Sequence, residues 1–92
     1  MRWSVGVEVE AGRVLTREEV VELADAIAAS GGIATGIGTD RYGGQLIVRA
    51  GGREEATEKA IAELLRAAVA AGLPAGPVVR AEAISEDEDE AP

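Results

Sequence analysis

Hydrophobic and polar residues alternate strictly from Trp3 to Glu10. Odd positions carry Trp or Val, and even positions carry Ser, Gly or Glu. Successive side chains of a β-strand point to opposite faces, so this period of two predicts a strand with one buried and one exposed face. We therefore place the first strand over these residues, with its valines toward a core.

The next pattern predicts a helix that begins after Thr16. Thr16 and Glu19 have the spacing of a capping box, in which the hydroxyl and the carboxylate accept hydrogen bonds from backbone amides. Hydrophobic residues then recur at intervals of three and four, as in a helix with one buried stripe. The stripe comprises Val20, Leu23, Ala24, Ile27 and Ala28. Gly31 and Gly32 predict a left-handed C-terminal cap.

The middle of the chain predicts a β-hairpin. Residues 33–39 alternate Ile or Thr with Ala or Gly, residues 39–44 are rich in turn formers, and residues 45–50 resume a strand pattern. The inward residues of this second arm are Leu46, Val48 and Ala50. Glycines weaken a central strand, so we expect Ile33–Thr39 at the edge of the sheet.

A second helix and a last strand follow. The triplet Arg-Glu-Glu at residues 17–19 returns at residues 53–55, and both triplets precede an amphipathic pattern. The second hydrophobic stripe comprises Ala60, Ile61, Leu64, Leu65, Ala68 and Ala71. Gly72 and Pro74 end this helix, and Val78–Ile84 is a short strand. Residues 86–92 are dominated by acidic side chains, and we expect them to form a disordered acidic tail.

These elements predict one α+β domain over residues 1–85, in which strand, helix, strand occurs twice. Two right-handed crossovers give a four-stranded antiparallel sheet of order 4-1-3-2 with both helices on one face. This βαββαβ layout resembles the ferredoxin-like fold, and the resemblance covers residues 3–84. It implies an architecture and leaves the function open, because this fold supports many functions.

Charge and composition exclude several functional classes. The formal net charge is −8, and Glu86–Glu90 is an unbroken acidic run. An acidic body without a basic stripe disfavours nucleic-acid binding. RNA-recognition domains stack bases on aromatic residues of strands one and three, where this chain has none. The first ten residues contain no apolar leader and the longest uncharged run is too short to cross a bilayer, so we expect a cytoplasmic protein without a membrane partner.

The inventory of reactive side chains is poor. The chain contains no cysteine and no histidine, which removes thiol catalysis, thiolate metal sites and the commonest general base. Lys59 is the only lysine and Tyr42 the only tyrosine, and we place Tyr42 in a turn. We therefore predict a protein that is not an enzyme and that holds neither a metal ion nor a cofactor.

The sheet face opposite the helices carries polar and charged side chains. Glu8 and Glu10 are two residues apart on this face. They fit either an acid/base or metal pair, or a solvated charge ladder with Arg80 and Arg49. Open faces of four-stranded sheets commonly carry such ladders, so we favour the ladder.

Small residues make part of the same face smooth beside Ile47. The smooth positions are Gly6, Ala34, Gly36 and Gly38. They fit a self-association surface or a shallow ligand groove, and they also fit a bulged edge strand. The predicted interaction face comprises Gly6, Glu8, Glu10, Gly36, Gly38, Ile47, Arg49, Arg80 and Glu82.

Gly12, Arg13 and Thr16 form a second candidate site, for an anion or a small effector, before the first helix. Acylphosphatases, which share this topology, hold a phosphate with an Arg of the first loop, but they orient water with an Asn and this chain contains none. The run from Val5 through Gly12 to Val20 resembles the layout of ACT-type regulatory domains. That resemblance implies a small effector bound across a dimer interface.

We expect a small non-enzymatic interaction or regulatory module. It forms a homodimer through the open sheet face or the edge strand Ile33–Thr39, or it binds another protein. The alternative is an ACT-like small-molecule sensor with its effector at a subunit interface. A third interpretation, ranked below both, is an acylphosphatase-like or cofactor-free enzyme.

Overall fold

A computed structural model describes residues 2–28, 31–36, 40–74 and 76–85 of the chain. Along these residues the elements are β1 (Arg2–Glu10), α1 (Arg17–Ala28), β2 (Ile33–Thr35), β3 (Arg41–Arg49), α2 (Arg53–Ala70) and β4 (Val78–Ser85). The predicted acidic tail lies outside the described residues.

Within the described residues, the four strands form one antiparallel sheet in the order β2-β3-β1-β4. This is the predicted order 4-1-3-2, read from the other edge. Together with the order of strands and helices, it confirms the α+β class and the ferredoxin-like βαββαβ layout. β1 is central because it pairs with β3 on one side and with β4 on the other. Its pairing with β3 runs from Arg2 opposite Arg49 to Glu10 opposite Arg41.

The core lies between the sheet and the helices. β1 contributes Val5, Val7 and Val9, which are almost fully buried, as the alternating pattern predicts. Leu23 of α1 and Leu64 of α2 have no exposed surface and belong to the same cluster. Because both helices bury their stripes against these strands, the opposite face of the sheet is left uncovered.

The helix stripes match the predictions in part. On α1, Val20, Leu23 and Ile27 are buried, whereas Ala24 is half-buried and Ala28 is exposed. On α2, the buried residues are Ala56, Ala60, Leu64, Ala67 and Ala68, and the predicted Ile61, Leu65 and Ala71 are half-buried. Alanines at the contact let α2 lie close to the sheet. The predicted caps are present, since Gly31 and Gly72 both have positive φ.

The boundaries of β3 correct one prediction. β3 begins at Arg41 rather than at Gln45, so the assignment of Arg41–Gly44 to a turn is wrong. Gly43 and Gly44 reflect close packing: a methyl group on Gly43 would overlap the carbonyl oxygen of Val7 on β1. One on Gly44 would lie 3.0 Å from Cδ1 of Ile27. These glycines therefore mark a close approach inside the sheet.

Tyr42 is a core residue, and its predicted placement in a turn is also wrong. Its side chain is buried on the helix side of β3. The hydroxyl donates a 3.0 Å hydrogen bond to the carbonyl oxygen of Pro74, beyond α2. Burial raises the pKa of this hydroxyl above its ordinary value. Tyr42 thus joins the sheet to the segment that leads into β4.

The described part of β2 is short and lies at the predicted edge of the sheet. It covers Ile33–Thr35, and residues 37–39 of the predicted strand lie outside the described residues. Ala34 stands opposite Gly44 and packs against the core, so its predicted place on the open face is wrong. The register explains the difference, because Ile33 pairs with Gln45, whose side chain points away from the helices.

Candidate functional site

The uncovered side of the sheet, which we call the open face, is defined by the strand register. Residues that pair directly across antiparallel strands share a face. The members are Ile33 and Thr35 of β2, Arg41, Gly43, Gln45, Ile47 and Arg49 of β3, Arg2, Ser4, Gly6, Glu8 and Glu10 of β1, and Arg80, Glu82 and Ile84 of β4. The structure thus places the predicted interaction residues on one face of the sheet, except for two glycines. Gly36 follows β2 beside the backbone of Arg41, and Gly38 lies outside the described residues.

Glu8 lies within the charge ladder of this face. Its Oε2 atom is 4.0 Å from Nη1 of Arg41, and Arg80 is its register partner on β4. Nη2 of Arg80 donates a 3.0 Å hydrogen bond to Oε2 of Glu82. This bond and the charges of Glu82 and Glu8 raise the pKa of Arg80. Glu8 and Arg80 thus stand opposite each other in the register, while the close contacts are those of Glu8 with Arg41 and of Arg80 with Glu82.

The remaining predicted charges lie at the ends of the sheet. Arg49 stands opposite Arg2, far from the predicted partners Glu8 and Glu10, and Glu10 stands opposite Arg41. In the described parts of the chain, no three acidic side chains converge as metal ligands. Exposed ion pairs contribute about 0–1 kcal/mol to folding. The arrangement consequently determines the charge pattern of the surface more than the stability of the fold.

A shallow depression of about 180 Å³ lies on the open face over Gly6. Its lining side chains include Glu8, Thr35, Gln45, Arg80 and Ile84. Gln45 crosses the sheet and donates a 2.7 Å hydrogen bond from Nε2 to Oγ of Ser4. A methyl group on Gly6 would lie 3.0 Å from Oε1 of Gln45. The absent side chain at this position therefore makes the depression.

The two edges of the described sheet differ in length. β2 pairs with β3 over three residues, whereas β4 runs for eight residues, Val78–Ser85. Among the described residues, β4 pairs with β1 alone. The register shifts between Glu8 and Val9, so Val79 forms a bulge and the ladder is regular from Arg80 onward. Val78 and Val79 are exposed by 36% and 40%. The predicted order 4-1-3-2 already places this strand at an edge of the sheet, but the predicted interaction surfaces did not include that edge.

The second candidate site is organised around Glu19. Arg13 donates to both of its carboxylate oxygens, Nη1 to Oε1 at 2.8 Å and Nη2 to Oε2 at 2.5 Å. Thr16 and Glu19 form the predicted capping box, with hydrogen bonds of 3.0 and 3.2 Å. The Arg13 bonds first, and then the bond from the Thr16 amide, lower the pKa of Glu19 to about 2.

This pairing counts against an anion at the same place. The structure brings Arg13 and Thr16 together, but the Arg13 guanidinium and the Thr16 backbone amide both donate to the carboxylate of Glu19. A bound anion would have to displace that carboxylate. Gly12 has a positive φ of 79°, and no neighbouring atom lies near its missing side chain. Gly12, Arg13 and Thr16 therefore remain a predicted effector site without further support.

None of the described helices is both long and apolar enough to cross a bilayer. No protein-family model, curated protein or solved structure matches this chain. The open face, together with its β4 edge, is the leading candidate for a functional surface.

Proposed function

We propose that this protein is a small, non-enzymatic interaction or regulatory module of the cytoplasm that works as a homodimer. The observation that carries the proposal is the β4 edge, an eight-residue strand that pairs on one side only among the described residues. The amides and carbonyls of such an edge are a template for another strand. A cysteine-free composition fits the reducing cytoplasm.

Two features of β4 support pairing with another chain. Proteins commonly protect an edge strand with lysine, proline, other charges or a bulge. Val78–Ser85 contains no lysine or proline, and its protection is confined to the bulge at Val79 and the charges of Arg80 and Glu82. Residues 78–82 are all exposed. The bulge at Val79 limits pairing at the start of the strand. Pairing with β1 is regular from Arg80 onward, so residues 80–82 are the start of the regular segment.

A second copy is the occupant that we propose for this edge. β4 carries opposite charges at Arg80 and Glu82, on the same face of the sheet. An interface between identical chains must be self-complementary under a two-fold axis. A strand that carries one acid and one base close together meets that requirement, because the acid of each copy can lie opposite the base of the other.

Sedimentation velocity over a concentration series tests the homodimer. We expect a dimer at high micromolar concentration, and a strict monomer there would contradict the proposal. Ala81→Lys places a charged side chain on the exposed β4 edge and should shift the protein to monomer. Ala62→Lys, at an exposed alanine of α2, is the matched control and should leave the dimer intact.

A small-molecule sensor is the second candidate, and the depression over Gly6 is the observation that favours it. Its lining combines carboxylate, guanidinium, amide and hydroxyl groups, which suit a small zwitterion such as an amino acid. Thermal shift with a panel of amino acids and nucleotides tests this function, because a ligand of the folded state raises the melting temperature. No shift across the panel would contradict it.

A further inference from the structure

We infer that the two copies pair antiparallel through β4, with the two-fold axis at Ala81. This inference rests on the proposed homodimer and specifies its register. The short sequence Arg80-Ala81-Glu82 is the basis, because its charges are placed symmetrically about the alanine. In this register Arg80 lies opposite Glu82 of the second copy, and the same contact occurs again across the axis.

The face alternation of β4 restricts the registers that a continuous sheet allows. Arg80 and Glu82 lie on the open face, and Ala81, opposite Val7 of β1, lies on the helix side. In an antiparallel pair, directly opposed residues share a face. The axis must therefore pass through a residue and not between two residues.

Charge then selects among the remaining registers within β4. An axis through Ala83 would set Glu82 against the apolar Ile84 and would oppose no unlike charges among the described residues. An axis through Arg80 would set the two arginines against each other, and an axis through Glu82 would do the same for the glutamates. Like charges directly opposite destabilise a pair of strands. The axis at Ala81 pairs opposite charges twice, and it sets only two small methyl groups against each other at its centre.

The same register extends the open face across the dimer. Arg80 and Glu82 line the depression over Gly6 as well as the proposed interface. The depressions of the two copies would therefore adjoin at the two-fold axis. A ligand held there would contact both subunits, which links the sensor function to the dimer.

Charge reversal tests the register. In Arg80→Glu, the new carboxylate lies opposite Glu82 of the second copy, and the two-fold axis repeats this contact. We expect the dimer Kd to rise by about tenfold. Glu82→Arg should weaken the dimer to a similar extent. The double variant Arg80→Glu/Glu82→Arg restores opposite charges and should recover the original Kd. Arg66→Glu is the matched control: Arg66 also forms an exposed ion pair, with Glu63, but it contacts the carbonyl oxygen of Ala26 on α1 and lies away from β4.

A cysteine probe gives an independent readout of the same axis. The natural chain contains no cysteine, so Ala81→Cys introduces a single thiol that faces itself across the proposed axis. We expect a disulfide-linked dimer under mild oxidation, whereas Ala62→Cys on α2 should not cross-link. Both positions are exposed.

The outcomes separate the register from the homodimer. Recovery by the double variant together with cross-linking at position 81 supports the register. A dimer that is insensitive to Arg80→Glu, is not recovered by the double variant, or does not cross-link at position 81 overturns the register and leaves the proposed homodimer standing. A wild-type protein that is monomeric at high micromolar concentration overturns both.

Discussion

At Gly43, the absence of a side chain allows two strands to pair. A Cβ atom at this position would overlap the carbonyl oxygen of Val7 on β1. Gly43→Ala must therefore push β3 away from β1, and we expect it to lower the free energy of unfolding by at least about 2 kcal/mol. Urea denaturation at matched protein concentration measures the change, since dimerisation makes apparent stability depend on concentration.

Gly51→Ala is the control for this substitution. A methyl group on Gly51 would lie 3.6 Å from Oε2 of Glu55, an ordinary van der Waals contact. We expect a change well below that of Gly43→Ala. Equal effects of the two substitutions would show that the cost arises from the loss of glycine in general and not from the overlap with Val7.

Tyr42 and the glycines beside it show why single residues limit prediction from sequence. Glycine is common in turns, but it is also needed where two backbones approach closely. The sequence of residues 41–44 fits either a turn or a tightly packed strand. Only the position of β1 beside it shows that it is a strand. Because residues 41–44 were assigned to a turn, Arg41 was not predicted to lie on the open face. Its Nη1 atom is 4.0 Å from Oε2 of Glu8. The alternating valines of β1 were predictable, because burial of one face of a strand produces a hydrophobic period of two in the sequence.

The N-terminus of α1 carries a pH-dependent contact. The pKa of Glu19 is lowered to about 2, by the hydrogen bonds from Arg13 first and the Thr16 amide second. An acid whose pKa is lower in the folded state stabilises the fold above its unfolded pKa, and this contribution is lost as pH falls toward the folded pKa. The contribution of Glu19 is thus present at pH 7 and declines below about pH 4.5 toward pH 2.

Glu19→Gln should therefore unfold at a lower urea concentration than the wild type at pH 7. The difference between the two urea midpoints should shrink as pH falls below about 4.5, because protonation of Glu19 removes the same contact. Glu18→Gln removes a neighbouring exposed acid of the same helix turn and serves as the control. A pH-independent difference for Glu19→Gln would contradict the role of its ionised form.

At the scale of elements, periodicity and caps were sufficient for the layout but not for the pairing surface. The capping box at Thr16 and the glycine at position 31 located both ends of α1. The strand order followed from the handedness of the crossovers. The lengths of the described edge strands β2 and β4 could not be predicted from the sequence. The residues of an edge strand that pair depend on its neighbour, which the local sequence does not specify. The face of Ala34 was also predicted wrongly, because it depends on the pairing of Ala34 with Gly44 on β3.

For the whole molecule, charge works against association. The formal net charge is −8, and a large share of it comes from the run Glu86–Glu90, directly after β4. Two copies that pair through β4 bring these runs into the same dimer. Like charges repel over about 30 Å at an ionic strength of about 0.01 M and over about 3 Å at about 1 M. Self-association should therefore be weakest at low salt.

Removal of residues 86–92 should relieve this repulsion. We expect the chain that ends at Ser85 to dimerise with a lower Kd than the full chain at low salt, and the two Kd values to converge at high salt because the charges are then screened. Analytical ultracentrifugation across a salt series measures both. A full-length chain with residues 86–90 changed to serine and glutamine separates charge from length, and it should behave like the shortened chain. Weaker association of the shortened chain would instead mean that the acidic run contacts the second copy, in which case the serine and glutamine variant should also associate weakly.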